Sequence, residues 1–130
     1  MSEKSNKPIK VLLVDDMLTS RYLIKLCLKL PDYSVDEVSN GEDALRKLKL
    51  APFDIAILDV MMPGMDGIEL CTHIRKDSEL ADLPIIMITS LNSSADLDDI
   101  NQAGATCYLE KPFNANELRM LISQLSPTVV

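Results

Sequence analysis

The sequence predicts an α/β protein built on a doubly wound parallel sheet of five strands. Residues 11–14, 55–58 and 85–88 are continuous apolar runs, which are typical of parallel strands covered on both faces. Residues 34–38 and 106–109 are weaker strand candidates, because they are short and only partly β-branched. Segments with helical spacing separate these strands, so five strands alternate with five helices and right-handed crossovers are expected.

Apolar residues at helical spacing indicate where the five helices lie. In chain order they are Leu23, Cys27 and Leu30; Leu45 and Leu48; Leu70 and Ile74; Leu97 and Ile100; and Leu118, Leu121, Ile122 and Leu125. Start signals that pair a capping oxygen with an acid three residues later are Asp66 with Glu69, Ser93 with Asp96, and Asn114 with Glu117. Asn40 and Gly41 precede acids suited to the first turn of the second helix.

Length and composition favour a single domain. The 130 residues, 47% of them hydrophobic, suffice for one core and are too few for two domains of usual size. The apolar runs are far shorter than the roughly 20 residues that a membrane-spanning helix needs. The polar segment 1–8 does not resemble a secretory signal, so we expect the chain in the cytoplasm. The expected division is a polar tail at 1–8, a domain at 9–125, and a tail or the start of a linker at 126–130.

Charge and cysteine usage argue against two further kinds of protein. A net charge of −7 opposes direct binding to nucleic acid, which relies on Lys and Arg to displace phosphate counterions. Cys27, Cys71 and Cys107 lie far apart and lack the clustered spacing of a zinc site. We therefore expect reduced cysteines buried as small hydrophobic residues.

Polar residues follow the strong strands at the point where each one ends. Asp15 and Asp16 follow the first strand, Asp59 the third, Thr89 the fourth, and Lys111 lies just past the fifth. Ligands of open α/β sheets bind in the crevice beyond the carboxyl ends of the strands. These five side chains are therefore expected to share one pocket.

The chemistry of such a pocket points to a divalent cation and an anionic ligand. Three crowded carboxylates repel one another, and a cation would relieve the repulsion. Oxygen-only ligands suit Mg²⁺ or Mn²⁺ better than zinc. Lys111 offers a compact positive charge and Thr89 a hydroxyl donor for phosphoryl oxygens. A carboxylate can also act as the nucleophile in phosphoryl transfer, which depends mainly on positioning and charge neutralisation.

Four motifs make the chain similar to the receiver domain family of two-component response regulators, which includes chemotaxis regulators. They are Val14-Asp15-Asp16, the segment from Leu58 to Gly67 with the sequence LDVMMPGMDG, Ile88-Thr89-Ser90, and Lys111-Pro112. The resemblance extends from about residue 9 to residue 125. It implies a flavodoxin-like fold with the strand order 2-1-3-4-5.

The resemblance also implies a role for each site residue. Asp59 would accept a phosphoryl group from a sensor histidine kinase or a histidine phosphotransfer protein, in a reaction that depends on Mg²⁺. Asp16 would bind the metal directly, Asp15 would bind it directly or through water, and Met61 would contribute its backbone carbonyl. Thr89 and Lys111 would hold the phosphoryl group.

The implied output is a conformational switch rather than enzymatic turnover on a separate substrate. Tyr108 matches the family's aromatic switch position, whose ring turns inward as Thr89 moves. The face of the fourth helix, fifth strand and fifth helix would then change for a protein partner, an output domain or a second copy. The family's cis peptide bond is expected at Lys111-Pro112.

Several alternatives stay open at this point. Asp15 and Asp16 could simply cap the first helix, and Tyr108 could be ordinary packing. A pseudo-receiver would bind partners without phosphorylation, and an aspartyl phosphohydrolase would turn over phosphate esters with Mg²⁺. In the receiver family, polar side chains two positions beyond the residues that match Asp59 and Thr89 can assist the attacking water. The apolar Met61 and Leu91 at these positions therefore imply slow hydrolysis of the phosphoryl group.

Overall fold

A computed structural model describes residues 7–90 and 94–126, with the backbone alone for residues 94–96. The strands are β1 (Ile9–Val14), β2 (Tyr33–Val38), β3 (Ile55–Asp59), β4 (Ile85–Thr89) and β5 (Cys107–Glu110). The helices are α1 (Leu18–Cys27), α2 (Gly41–Leu50), α3 (Gly67–Lys76), α4 (Ser94–Ala103) and α5 (Ala115–Leu125). The strands form one parallel sheet in the order β2-β1-β3-β4-β5, so the predicted fold class and strand order are confirmed.

The three central strands are mostly apolar because helices cover both of their faces. Leu12 and Leu58 pack in a core layer with α2, α3 and α4, whereas Val11 and Ile57 pack in the opposite layer with α1 and α5. Every residue of β3 and β4 is buried, and all six residues of the edge strand β2 are half-buried. The alternating side chains thus serve two separate core layers.

Capping oxygens start three of the helices, and two of these caps, Asp66 and Asn114, were predicted from the sequence. The side chain of Asn40 accepts a hydrogen bond from the Asp43 N–H at the start of α2, and Asp66 accepts one from Glu69 at the start of α3. Asn114 and Glu117 form a reciprocal capping box at α5. The predicted pair Ser93 and Asp96, at the start of α4, lies outside the residues with described side chains.

The first helix buries a different stripe from the one its leucines indicate. Ile24 and Leu28 are buried against the layer with α5, whereas Leu23 and Leu30 are exposed and Cys27 is half-buried. The helix also ends at Cys27, before Leu30. Two adjacent apolar stripes are present in this segment, and packing against α5 selects one of them.

Three smaller expectations meet a mixed result. The Lys111–Pro112 bond is cis, as expected. All three cysteines are free, but full burial holds for Cys71 alone, since Cys27 and Cys107 are half-buried. Among the described helices, none combines the length and the apolar character needed to cross a membrane.

Candidate functional site

Polar side chains are buried at the carboxyl end of the sheet, where the core would otherwise be apolar. Asp15 directly follows β1, while Asp59 and Thr89 are the last residues of β3 and β4. All three are buried, and they are the buried polar residues among those described. The parallel register aligns these strand ends, because Val14 pairs with Leu58 and Asp59 pairs with Ile88. The fold therefore brings together residues that are distant in sequence.

Three carboxylates form the centre of this site. Asp15, Asp16 and Asp59 each offer an oxygen, and these atoms all lie within 4.8 Å of one another. Asp16 is half-buried, so the cluster opens to solvent on one side. An all-oxygen, negatively charged donor set is the kind that hard divalent cations prefer. The residues present thus fit a Mg²⁺ ion.

The crowding of the carboxylates makes the ionised form of Asp59 less favourable. Its burial, together with the negative charge of Asp15 and to a smaller extent that of Asp16, raises the pKa of Asp59 to about 6. Lys111 and the backbone N–H of Met61 act in the opposite direction, since both stabilise the charged carboxylate. A set of three carboxylates, one of which has a raised pKa, would be stabilised by any added positive charge.

Lys111 lies close to Asp59 without forming a tight ion pair. Its Nζ atom is 3.8 Å from Oδ1 of Asp59, which is beyond hydrogen-bonding distance. The lysine side chain is about one-third exposed, whereas that of Asp59 is buried. The ammonium group therefore stands at the mouth of the site, where it can contact a group attached to Asp59.

Asp15 supports the first helix, as one of the two alternatives predicts, and its metal-binding role stays a prediction. Its Oδ1 atom accepts a hydrogen bond from the Met17 N–H at 3.0 Å, and its Oδ2 atom accepts one from the Ser20 hydroxyl. Met17 is the N-cap residue of α1, and its own side chain makes no capping bond. Asp15 thus supports the start of α1 while its carboxylate also faces Asp59.

Sequence reasoning assigned no role to three residues that shape the site. Ser20 binds the Asp15 carboxylate, and Arg21 donates to the Asp15 carbonyl at 2.8 Å. A Cβ atom on Gly67 would lie 2.3 Å from the backbone oxygen of Asp59, so only glycine fits there. Gly67 could have been found because it belongs to the quoted motif. Ser20 and Arg21 could have been found because they lie one turn into α1, close to Asp15 in sequence.

Two further predicted residues lie beside the carboxylates. Met61 is exposed, and its backbone N–H bonds the Asp59 carboxylate, while the metal contact predicted for its carbonyl stays a prediction. Tyr108 pairs with Met87 across β4 and β5, two positions before the pair of Thr89 with Glu110, and its side chain is 39% exposed. A partly exposed ring is compatible with the predicted switch, which stays a prediction. Leu91 lies outside the described residues.

Comparisons with known proteins agree on one family. The family model described as response regulator receiver domain matches residues 11–123. Chemotaxis protein CheY-3 of Vibrio cholerae is 39% identical over 121 residues, which cover 92% of this chain and 93% of that protein. Transcriptional regulatory protein ResD of Bacillus subtilis is 39% identical over 116 residues, covering 89% of this chain. The matched segment is 47% of ResD, so the chain spans about half the length of that relative.

A solved structure shares the fold of this chain. The receiver domain of the sensor histidine kinase PA1611 from Pseudomonas aeruginosa superposes with a TM-score of 0.84 at 29% identity, covering 91% of this chain and 97% of that one. That structure has a magnesium ion coordinated in its active-site cleft. The sheet order, the acidic cluster at its carboxyl end and the family match all lead to one conclusion. This chain belongs to the response regulator receiver domain family.

Proposed function

We propose that the chain is a phosphorylation switch in which Asp59 accepts a phosphoryl group from a histidine kinase or a histidine phosphotransfer protein. One observation carries this assignment. Asp59 is buried at the end of β3 with oxygens of Asp15 and Asp16 within 4.8 Å and the Lys111 ammonium at 3.8 Å. Phosphoryl transfer to an aspartate needs a nucleophilic carboxylate, a pair of acidic ligands for a metal ion and a positively charged side chain.

The transfer itself uses the chain's own side chains. A carboxylate oxygen of Asp59 attacks phosphorus, the bond between phosphorus and the histidine nitrogen breaks, and its electron pair returns to the imidazole. Lys111 at the mouth of the site neutralises charge on the phosphoryl oxygens. The Thr89 hydroxyl, at the adjacent strand end, donates a hydrogen bond to one of them.

The cation would be held by Asp15, Asp16, Asp59 and the backbone carbonyl of Met61. When bound, Mg²⁺ offsets the charge of these carboxylates and of the incoming phosphoryl group. Mn²⁺ has similar oxygen preferences and is a second ion that the site would accept. The raised pKa of Asp59 supports this assignment, because it reflects a charge conflict that a cation relieves.

The output is a change of surface rather than turnover of a substrate. Phosphorylation would draw Thr89 toward Asp59 and let the Tyr108 ring turn inward, which alters the face of α4, β5 and α5. That face would then bind a downstream protein, an attached output domain or a second copy of the chain. We assign residues 9–125 to this receiver unit, with 1–8 and 126–130 as flanking segments, and we assign no direct nucleic-acid or membrane contact to it.

The chemistry can be tested by intact-mass spectrometry after incubation with acetyl phosphate and Mg²⁺. We expect one added phosphoryl group on the wild-type chain, none on Asp59→Asn, and none when a chelator removes the metal. Asp82→Asn is a matched control, since Asp82 is an exposed aspartate away from the site, and it should be labelled like the wild type. Labelling of Asp59→Asn would contradict the assignment.

Two other outcomes would identify the competing functions. A wild-type chain that takes up neither a phosphoryl group nor beryllofluoride would be a pseudo-receiver that binds partners without phosphorylation. Multiple turnovers on a small phosphate ester would instead identify a Mg²⁺-dependent aspartyl phosphohydrolase.

A further inference from the structure

Arg21 connects the acidic turn of the site to the edge strand of the sheet. Its Nη1 atom donates to the backbone carbonyl of Asp15 at 2.8 Å, and its Nε atom donates to Oε1 of Glu37 in β2 at 2.8 Å. The arginine side chain is only 15% exposed. Glu37 also forms an ion pair with Lys25, which lies one turn further along α1. The guanidinium is therefore held from two sides.

The carbonyl that Arg21 contacts belongs to the peptide unit that leads into Asp16. This carbonyl and the N–H of Asp16 lie in one plane, because the peptide bond does not rotate freely. A hydrogen bond that fixes the carbonyl thus restricts the direction in which the Asp16 backbone continues. Arg21 acts in this way on Asp16 without touching its carboxylate.

Asp15 itself is held by separate contacts. Its N–H donates to the carbonyl of Val38 at 3.2 Å, and its carboxylate accepts hydrogen bonds from Met17 and Ser20. Met17 and Ser20 are close to Asp15 in sequence, whereas Arg21 also reaches across to Glu37. The Arg21 side chain thus links the turn at Asp15 to strand β2.

The charge of Arg21 is paired with a carboxylate outside the acidic cluster. Glu37 accepts a hydrogen bond from this guanidinium and balances its positive charge. The net charge close to the cluster is therefore changed little, so the attraction of the site for a cation is preserved. Geometry, rather than added charge, is the main consequence of the contact.

We propose that Arg21 is a positioning residue for the divalent-cation site. Its guanidinium orients the peptide bond between Asp15 and Asp16, and Glu37 orients the guanidinium. The inference rests on the proposed function insofar as that function includes the cation. It assigns Arg21 no contact with the ion or the phosphoryl group. Residues that orient metal ligands from behind commonly change metal affinity by roughly 10- to 100-fold when they are removed.

The test is a Mg²⁺ titration of the full chain, followed by amide chemical shifts in NMR spectra, which report binding and folding together. We expect Arg21→Gln to weaken Mg²⁺ binding roughly tenfold, and Arg21→Lys to give an intermediate loss because an ammonium cannot reach both acceptors as a planar fork. Lys25→Gln is the matched control. It removes an ion pair to the same Glu37 but no contact to Asp15, so its Mg²⁺ affinity should stay close to that of the wild type.

Arg75→Gln controls for general destabilisation. Arg75 is also an arginine that binds backbone carbonyls, those of Gly104, Ala81 and Leu83, but at the opposite end of the sheet. We expect this variant to lower the urea midpoint of unfolding while it keeps wild-type Mg²⁺ affinity. An equal loss of affinity in Arg75→Gln would mean that the effect of Arg21→Gln is merely structural.

A second variant keeps the inference testable if Arg21→Gln does not fold. Glu37→Gln retains the guanidinium but weakens the acceptor that orients it, so we expect a smaller loss of Mg²⁺ affinity than for Arg21→Gln. Wild-type affinity in both variants would overturn the role of Arg21. A wild-type chain that binds no Mg²⁺ would instead overturn the cation site of the proposed function, which is a distinct result.

Discussion

The two ends of the parallel sheet are built on opposite electrostatic principles. At the carboxyl end, Asp15 and Asp59 are buried close together, and their charges repel. At the amino end, Arg75 donates hydrogen bonds to the carbonyls of Ala81, Leu83 and Gly104 and to the Thr106 hydroxyl. The carboxyl end holds clustered negative charges that are not fully neutralised by nearby positive groups. The amino end pairs the positive charge of Arg75 with several hydrogen-bond acceptors.

This difference separates the part of the fold that serves stability from the part that serves chemistry. A half-buried cation such as Arg75, hydrogen-bonded to several carbonyls, stabilises the connections around it. Clustered carboxylates lower stability until a ligand neutralises them. Substitutions at the two ends should therefore differ in whether they affect stability, ligand binding or both.

A pair of glycines gives the largest expected contrast between the two ends. A Cβ on Gly67 would meet backbone atoms of Asp59 and Val60 at 2.3 to 2.9 Å. Gly67→Ala should therefore shift the Asp59 backbone, lower the free energy of unfolding by about 3 kcal/mol, and reduce labelling by acetyl phosphate severely. Urea denaturation and intact-mass spectrometry measure the two effects.

Gly104→Ala is the counterpart at the amino end. Gly104 has a φ of 97°, and its added Cβ would meet the side chain of Arg75 rather than backbone. We expect a loss of about 1–2 kcal/mol in unfolding free energy, because an L side chain is strained in this region. Labelling of Asp59 should be unchanged. A fall in labelling equal to that of Gly67→Ala would contradict the separation of the two ends.

Removing the negative charge of Asp59 should stabilise the folded chain. In the absence of divalent cations at neutral pH, we expect Asp59→Asn to raise the free energy of unfolding by about 1–3 kcal/mol, because a pKa near 6 means that ionised Asp59 is disfavoured in the folded state. Asp82→Asn, at an exposed aspartate, should leave this free energy nearly unchanged. Urea denaturation in chelator measures both.

The pH dependence gives this prediction a definite sign. Asp59 has a pKa of about 6 in the folded chain and about 3.8 when unfolded, so the folded state holds more protons between these values. Its contribution to the free energy of unfolding therefore falls as pH rises from about 4 to about 6 and is constant above that range. The difference between Asp59→Asn and the wild type should grow over this window. A difference that is flat with pH would show that Asp59 titrates normally.

The sequence predicts the elements of the fold better than the contacts between them. Continuous apolar runs locate the central strands to within about two residues, because such runs are rare outside covered sheets. The five site residues follow from their positions at the strand ends. The strand order and the role of each site residue came from the family motifs. The buried stripe of α1, with Ile24 in place of Leu23, depends on packing against α5, which helical spacing alone does not specify.

The supporting residues of the site are hidden for a similar reason. Arg21 and Glu37 are 16 positions apart, and their contact exists only because β2 lies beside β1 in the sheet. The close approach of Gly67 to the Asp59 carbonyl likewise depends on how the loop after β3 returns to start α3. Local patterns predict which side chains carry chemistry, while the residues that orient them require the three-dimensional arrangement.

The lifetime of the phosphoryl group offers the smallest and most local test at the carboxyl end. Met61 follows Asp59 by two positions, and its apolar side chain is 61% exposed beside the site. An amide at this position could orient a water molecule for attack on phosphorus, as polar side chains do in other phosphoryl-transfer sites. We expect Met61→Asn to shorten the lifetime several-fold after acetyl phosphate is removed, measured by the decay of the phosphorylated mass.

Met120→Asn is the matched control for this last substitution. Met120 is a methionine of similar exposure, 59%, on α5. Because it replaces an exposed methionine outside the acidic cluster, its phosphoryl group should decay at the wild-type rate. Equal decay in the wild type and Met61→Asn would mean that the water reaches phosphorus by a path that Met61 does not border. Slow hydrolysis would then have to be attributed to the enclosure of Asp59 by its own buried surroundings.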